Sequence, residues 1–146
     1  MKPIELILHP TDFSDNSDAA IPWVVEFAKR FGARVMLLHE IDMTPYAVSY
    51  EIEMPTESMR ETMHRSAERQ IAALAERLRA EGVASIQTRV EVGHGSTAIC
   101  KCAREHGVDL IIMSTHGRTG LKHILIGSTA ERVVQHAPRL VLTVRT

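Results

Sequence analysis

The chain has 146 residues, of which 45% are hydrophobic, 24% are charged and only 4% are aromatic. This is the composition of one globular domain, residues 1–146, with a core built mainly from aliphatic side chains. The formal net charge of −1 argues against a protein that binds nucleic acid by electrostatic attraction. No apolar run approaches the ~20 residues of a membrane span, and nothing after Met1 resembles a signal peptide, so we expect a cytoplasmic protein.

The first part of the chain predicts two buried strands separated by one helix. The strands are compact apolar runs at residues 4–9 and Arg34–Ile41, which suit the interior of a sheet. The helix is expected to begin at capping side chains near Ser14 and to end at about Phe31. Pro22 falls inside this helix, where the loss of a backbone hydrogen bond predicts a kink.

The rest of the chain predicts three more strands and three helices. Residues 42–55 contain two prolines and no clear period, which indicates a long irregular connection. A helix over residues 56–81 follows, on the evidence of its apolar stripe. The last two helices are expected to begin at caps near Ser96 or Thr97 and at Ser128, and to end at about His106 and His136. The remaining strands are predicted at Ile86–Val92, 109–114 and Leu140–Val144.

Strand and helix therefore alternate five times, and most of the strands are apolar on both faces. This pattern predicts an α/β domain with a doubly wound, five-stranded parallel sheet of the Rossmann-like type. Ligands of such sheets bind at the carboxyl ends of the strands, where the strand order reverses. The loops after the first, second and fourth strands are therefore the candidate sites.

The loop after the fourth strand is suited to phosphate. It begins at Ser114, and Gly117 and Gly127 allow the backbone to approach a ligand closely. The N–H groups at the start of the next helix, at Gly127, Ser128 and Thr129, would point at an anion with the helix dipole behind them. Arg118 and Lys122 are available as counter-charges. The alternative is that Gly117 and Gly120 only form a tight turn and that Ser128 only caps the helix.

The second candidate element is the segment Pro10-Thr11-Asp12-Phe13-Ser14, directly after the first strand. Asp12 is suited to accept hydrogen bonds from ribose hydroxyls, or to help hold a metal ion beside phosphates. The alternative is that Asp12 and Ser14 only begin the following helix.

Other motifs carry less weight. Gly93-His94-Gly95-Ser96-Thr97-Ala98 matches a dinucleotide-binding pattern, but it follows the third strand and lacks the acidic residue expected ~20 positions on. Cys100 and Cys102 are interpreted as reduced, buried residues rather than metal ligands. The histidines form no evident ligand pair, and no catalytic residue is assigned.

The whole chain resembles the universal stress proteins. The resemblance rests on residues 7–14, 37–39 and 109–113, and most strongly on His116-Gly117-Arg118-Thr119-Gly120 followed by Gly127-Ser128. It implies a sheet in the order 3-2-1-4-5 and a homodimer formed through the final strand.

In the ATP-binding branch of that family the loop reads G, two residues, G, nine residues, G, then S or T. Gly117, Gly127 and Ser128 match this pattern, whereas Ser114 replaces the first glycine. The resemblance implies that Asp12 contacts ribose and that main-chain groups of Thr11 and Glu40 hold adenine. His116 is a candidate for phosphate contact, and the alternative is that it orients the loop through backbone hydrogen bonds. The candidate nucleotide-binding residues, taken together, are Pro10, Thr11, Asp12, Glu40, Met113, Ser114, His116, Gly117, Arg118, Gly127, Ser128 and Thr129.

We therefore expect a dimeric, ATP-binding regulator of the stress response. Mg²⁺ would be bound through the phosphates, with Asp12 as a candidate protein ligand, and hydrolysis would be slow at most. Two alternatives stay open: a dimeric scaffold of the same fold that binds no nucleotide, and a protein that binds AMP or cyclic AMP in the same crevice. The sequence indicates no membrane or nucleic-acid partner and no particular downstream protein.

Overall fold

The computed structural model describes residues 1–118 and 125–146. Within these ranges the chain forms, in order, β1 (Leu6–Pro10), α1 (Asp15–Asp18), α2 (Ile21–Phe31), β2 (Arg34–Ile41), α3 (Thr44–Val48), α4 (Glu57–Ala80), β3 (Ile86–Val92), α5 (Gly95–Glu105), β4 (Leu110–Ser114), α6 (Ser128–His136) and β5 (Leu140–Val144). No helix among these residues is both long and apolar enough to cross a membrane.

The five strands form one parallel sheet in the order β3-β2-β1-β4-β5. At its centre, Ile7 of β1 lies in register with Val35 of β2 on one side and Leu110 of β4 on the other. The strand order reverses between β1 and β4, so that a crevice is expected at their carboxyl ends. The predicted fold class and strand order are confirmed.

Two aliphatic layers cover the two faces of the sheet. Helices α2 and α4 pack on one face, where Val24 and Leu78 contact the cluster that includes Ile7. Helices α5 and α6 pack on the other, where Ile99 and Val133 join the cluster of Leu8. These side chains are at most 2% exposed, and each is expected to contribute about 1.5–3 kcal/mol by leaving water. Because β1 and β4 are buried along their whole length, they provide a rigid base for the loops that follow them.

Several local predictions of helix starts and connections are wrong. The segment before Phe31 forms two helices rather than one kinked helix, and Pro22 lies in the first turn of α2, where no internal N–H is required. Residues 42–55 contain the short helix α3, which likewise has a proline in its first turn. Helix α5 begins one residue before Ser96, with His94 rather than a hydroxyl side chain at its N-cap.

The remaining helix boundaries follow the sequence closely. Thr56 caps α4 by accepting a hydrogen bond from the Met59 N–H. Helix α6 begins at Ser128, but its N-cap is Gly127 rather than Ser128 itself. Cys100 and Cys102 are both free and buried, as the sequence predicts.

Candidate functional site

The loops after β1 and β4 meet at the carboxyl edge of the sheet, and Arg118 joins them. Its backbone N–H donates to Asp12 Oδ2 over 2.8 Å. Its guanidinium donates to the Asp12 carbonyl oxygen from Nε at 3.0 Å and from Nη2 at 2.9 Å. Asn16 Nδ2 donates to the Gly117 carbonyl over 2.8 Å. The two segments that the sequence singles out therefore form one structure.

Asp12 and Ser14 have different roles in this structure. Ser14 is the N-cap of α1, and its Oγ accepts a hydrogen bond from the Ser17 N–H over 3.2 Å. The Ser14 N–H and hydroxyl both donate to Asp12 Oδ1, at 3.0 and 2.5 Å. Helix capping thus accounts for Ser14, whereas Asp12 directs its other oxygen to the loop after β4.

Gly117 and Gly127 lie where a side chain would collide with this frame. A Cβ on Gly117 would lie 2.5 Å from Asp12 Oδ2, and a Cβ on Gly127 would lie 2.9 Å from the Thr115 carbonyl oxygen. The Gly127 N–H also donates to that carbonyl over 2.7 Å. Close approach to the Asp12 carboxylate therefore explains Gly117, and close approach to the Thr115 backbone explains Gly127.

Helix α6 presents its N-terminus to the same edge. Gly127 is its N-cap in an extended conformation, and the first bond of the helix runs from the Glu131 N–H to the Gly127 carbonyl over 3.0 Å. The N–H groups of Ser128 and Thr129 precede that bond, so they have no acceptor within the helix. Together with the helix dipole, such groups form a place where an anion is stabilised.

Ser114 and His116 hold the first turn of the loop. Ser114 is buried at the end of β4, and its Oγ donates to the His116 carbonyl over 2.6 Å. His116 Nδ1 lies 3.1 Å from Thr115 Oγ1 and 3.2 Å from Thr146 Oγ1. The Thr115 N–H donates to the Val144 carbonyl over 2.8 Å. The loop is thereby attached to the end of β5.

Thr11 and His39 connect β1 to β2 beneath the crevice. The Thr11 N–H donates to the Leu38 carbonyl over 2.8 Å, and His39 Nδ1 lies 2.8 Å from the Thr11 carbonyl oxygen. The His39 ring stacks on Phe13 with centroids 4.3 Å apart. Burial lowers the pKa of His39, although its hydrogen bond to Thr11 works in the opposite direction. A neutral ring with Nδ1 protonated fits this arrangement, since it donates to the carbonyl.

Glu40 is the most perturbed carboxyl group near the crevice. Burial, and after it the neighbouring Asp42 carboxylate, raises the pKa of Glu40 to about 7, and a hydrogen bond from the Gly95 backbone partly opposes this rise. Glu40 is therefore close to half-protonated at neutral pH, so that it can donate as well as accept a hydrogen bond.

The remaining predicted site residues lie in the strands, and two residues of the site were not predicted. Pro10 ends β1 in register with Leu38 of β2, and Met113 is buried in the layer beneath α5 and α6. The predicted roles of Gly120 and Lys122 lie outside the described residues. Sequence reasoning assigned no role to His39 or Asn16. A histidine near the end of a buried strand is a sequence feature that could have indicated the role of His39. The role of Asn16 could not be predicted, because it depends on a contact with a residue 101 positions away.

The comparisons with known proteins identify the group to which this fold belongs. A model of the Universal stress protein family matches residues 3–145. Universal stress protein MJ0531 of Methanocaldococcus jannaschii is 34% identical over 95% of this chain and 81% of its own length. Universal stress protein MJ0577 of the same organism is 30% identical over 95% of this chain and 93% of its own.

The solved structures agree. That of MJ0577 superposes with a TM-score of 0.86 at 32% identity, covering 99% of this chain and 98% of the other. UspA from Lactobacillus plantarum gives a TM-score of 0.80 at 25% identity, over 99% and 100% of the two chains. The fold defines a doubly wound α/β protein with a loop-built crevice at its switch point. Within that class, the chain belongs to the universal stress protein family.

More distant structures with the same fold contain adenine nucleotides. A universal stress protein in complex with cAMP has a TM-score of 0.68 at 21% identity and covers 99% of both chains. One from Archaeoglobus fulgidus in complex with dAMP has a TM-score of 0.68 at 17% identity and covers 98% of both.

Proposed function

We propose that this protein binds an adenine nucleotide, ATP with Mg²⁺, in the crevice between the loops after β1 and β4, and that it acts as a dimeric, nucleotide-dependent regulator of the stress response. The observation that carries the proposal is the glycine frame. Because Gly117 and Gly127 carry no Cβ, the loop after β4 can lie against the Asp12 carboxylate and the Thr115 carbonyl oxygen. This frame opens onto the N-terminus of α6.

The phosphates belong at the start of α6. The backbone N–H groups and hydroxyls of Ser128 and Thr129 are exposed there, and they suit phosphate oxygens. Arg118 is a described cation of the loop that leads to this place, and it is bonded to Asp12. It would supply counter-charge to phosphate by turning away from the Asp12 carbonyl. Mg²⁺ would be held mainly by the phosphates, with the Asp12 carboxylate as its candidate protein ligand.

The nucleoside belongs at the ends of β1 and β2. A carboxylate accepts about four hydrogen bonds, so Asp12 keeps capacity for a ribose hydroxyl beside its bonds from Ser14 and Arg118. The Thr11 carbonyl also keeps a second lone pair beside His39. Glu40 would face adenine, an unusual neighbour that becomes compatible with the ring when its carboxyl group is protonated.

The dimer is proposed through β5. Among the described residues this strand lies at the edge of the sheet and pairs only with β4, so its outer edge is available to a second copy. Leu140 at its start is 63% exposed, which adds apolar surface for the contact. Because the end of β5 holds the Thr115 backbone, assembly and the nucleotide loop would be physically connected.

Calorimetry on a matched pair of variants tests the nucleotide site. Asp12→Asn removes a carboxylate that contacts the loop, and Asp15→Asn removes an exposed carboxylate three residues away. We expect Asp12→Asn to weaken Mg-ATP binding by ~10-fold or more, which is 1.4 kcal/mol, and Asp15→Asn to leave it unchanged. Equal affinities in both variants and the wild type would contradict the site.

The same titrations distinguish the second candidate ligand. The complexes of relatives with cAMP and dAMP favour a monophosphate as the alternative. Tighter binding of AMP or cyclic AMP than of Mg-ATP would transfer the proposal to that ligand. Absence of binding for all three nucleotides would favour a scaffold protein that binds no nucleotide. In that case the bonds of Arg118 to Asp12 would serve only to stabilise the loops.

A further inference from the structure

Three potential metal ligands converge on the face of the sheet that α5 covers. They are Glu91 on β3, Cys102 on α5 and His106 directly after α5. One ligand atom from each lies within 4.8 Å of the other two. Cys102 and His106 are four residues apart, so the helix brings their side chains to one face, whereas Glu91 reaches them from the sheet.

The donor set has the chemistry of a transition-metal site. Thiolate, imidazole and carboxylate are the three ligand types that Zn²⁺ takes from proteins. A fourth donor lies close by, since Met36 Sδ is 3.7 Å from Cys102 Sγ. A thioether is a soft ligand of the kind that accompanies thiolates at sites for thiophilic metals.

A purely structural role explains only part of this arrangement. Cys102 is fully buried beside Met36, and a small apolar core residue needs no other reason to be there. Core packing does not account for an imidazole and a carboxylate from separate elements placed around the same thiol. Arg89 also bonds to Glu91 Oε1 over 2.9 Å, which leaves the second carboxylate oxygen for an ion.

We propose that Glu91, Cys102 and His106 bind a thiophilic divalent transition-metal ion of the Zn²⁺ class, with water or the Met36 thioether as the fourth ligand. The site lies beside Glu40, the register partner of Glu91, but none of its ligands is a proposed nucleotide-binding residue, and it does not depend on the proposed function. Bond lengths of about 2.0–2.3 Å place tetrahedral donors about 3.3–3.8 Å apart. The three donors therefore have to approach each other by roughly 1 Å. Glu91 and His106 are only half-buried and have the freedom to move.

Metal binding at this place requires Cys102 as the thiolate, so the ion would displace the thiol proton, which is released to solvent.

Titration of the reduced, nucleotide-free protein with Co²⁺ and Zn²⁺ tests the proposal. Co²⁺ reports thiolate ligation by a near-ultraviolet charge-transfer band and tetrahedral geometry by its visible bands, and calorimetry with Zn²⁺ gives stoichiometry and affinity. We expect one ion per chain. His106→Gln should weaken Zn²⁺ binding by at least ~10-fold, and Cys102→Ser should abolish the charge-transfer band.

Cys100→Ser is the matched control, since Cys100 is the second free cysteine of the same helix and is no member of the cluster. It should bind both metals as the wild type does. His106→Gln changes a half-buried side chain, so it decides the matter even if Cys102→Ser fails to fold. The proposal is overturned if the wild type shows no thiolate band, or if His106→Gln binds Zn²⁺ as tightly as the wild type.

Discussion

Gly127 is the position where one added carbon should separate nucleotide binding from folding. In Gly127→Ala the new Cβ would lie 2.9 Å from the Thr115 carbonyl oxygen, whereas ordinary contacts begin at 3.4 Å. The N-cap of α6 must therefore move away from Thr115 by about 0.5 Å, the difference between these distances. The same movement lengthens the 2.7 Å hydrogen bond from the Gly127 N–H to that carbonyl.

The size of the effect follows from these two changes. Weakening one backbone hydrogen bond costs about 0.5–1.5 kcal/mol of unfolding free energy. Displacing the N–H groups that would receive the phosphates should lower the affinity for Mg-ATP by ~10-fold or more, which corresponds to 1.4 kcal/mol. Gly127→Ala should therefore lose affinity for Mg-ATP but remain folded.

Urea denaturation and calorimetry measure the two quantities separately, with Gly32→Ala as the control. Gly32 ends α2 with φ +62° and has open space around it, so alanine there costs about 1–2 kcal/mol through backbone strain alone. We expect the two variants to lose similar stability and only Gly127→Ala to lose affinity. Wild-type affinity in Gly127→Ala, or equal losses of affinity in both, would refute the assignment of phosphate to α6.

Four further predictions address charge, protonation and assembly. Glu40→Gln should raise the unfolding free energy at pH 8 by about 1–3 kcal/mol and by much less at pH 5, because a carboxyl whose pKa rises from 4.5 to about 7 on folding lowers stability progressively between these two pH values, where the unfolded chain ionises first; equal effects at both pH values in urea denaturation would contradict this. In the Glu40→Gln protein, the unfolding free energy should fall as the pH drops below 6.5. Burial lowers the pKa values of His9 and His39 in the folded state, so the unfolded chain binds more protons in this range. An unfolding free energy that does not change with pH would contradict this. Arg118→Gln should weaken ATP binding by ~3–10-fold more than AMP binding if its charge faces the outer phosphates, which paired calorimetric titrations would show. If the proposed dimer forms through β5, Leu140→Lys should shift it towards monomer in analytical ultracentrifugation. Val134→Lys on the exposed face of α6 is the control, and an unchanged mass of the Leu140→Lys protein would exclude β5 as the interface.

Local sequence patterns were sufficient to predict the strands of the sheet. The central strands are short apolar runs because both of their faces are covered, and this pattern is visible without the structure. The effect of proline was misjudged because it depends on position within the helix: Pro22 is harmless in the first turn of α2, and that turn is not evident until α1 is seen to end at Asp18.

The site was predictable in its parts but not in its connections. The spacing of Gly117 and Gly127 and the place of Asp12 after β1 are sequence features, whereas the bonds from Arg118 to Asp12 join residues 106 apart. The raised pKa of Glu40 likewise arises from burial and from Asp42 in three dimensions. The metal-ligand cluster shows the same limit: the pair Cys102 and His106 has helical spacing, but Glu91 joins it only in three dimensions, where α5 covers the sheet.

The most direct measurement is mass spectrometry of the natively purified protein, followed by denaturation to release and identify any bound small molecule. We predict an adenine nucleotide at close to one per chain, or, for protein stripped of ligand, calorimetric binding of Mg-ATP at one per chain. A protein that is empty as purified and that binds neither Mg-ATP nor an adenine monophosphate would contradict the account.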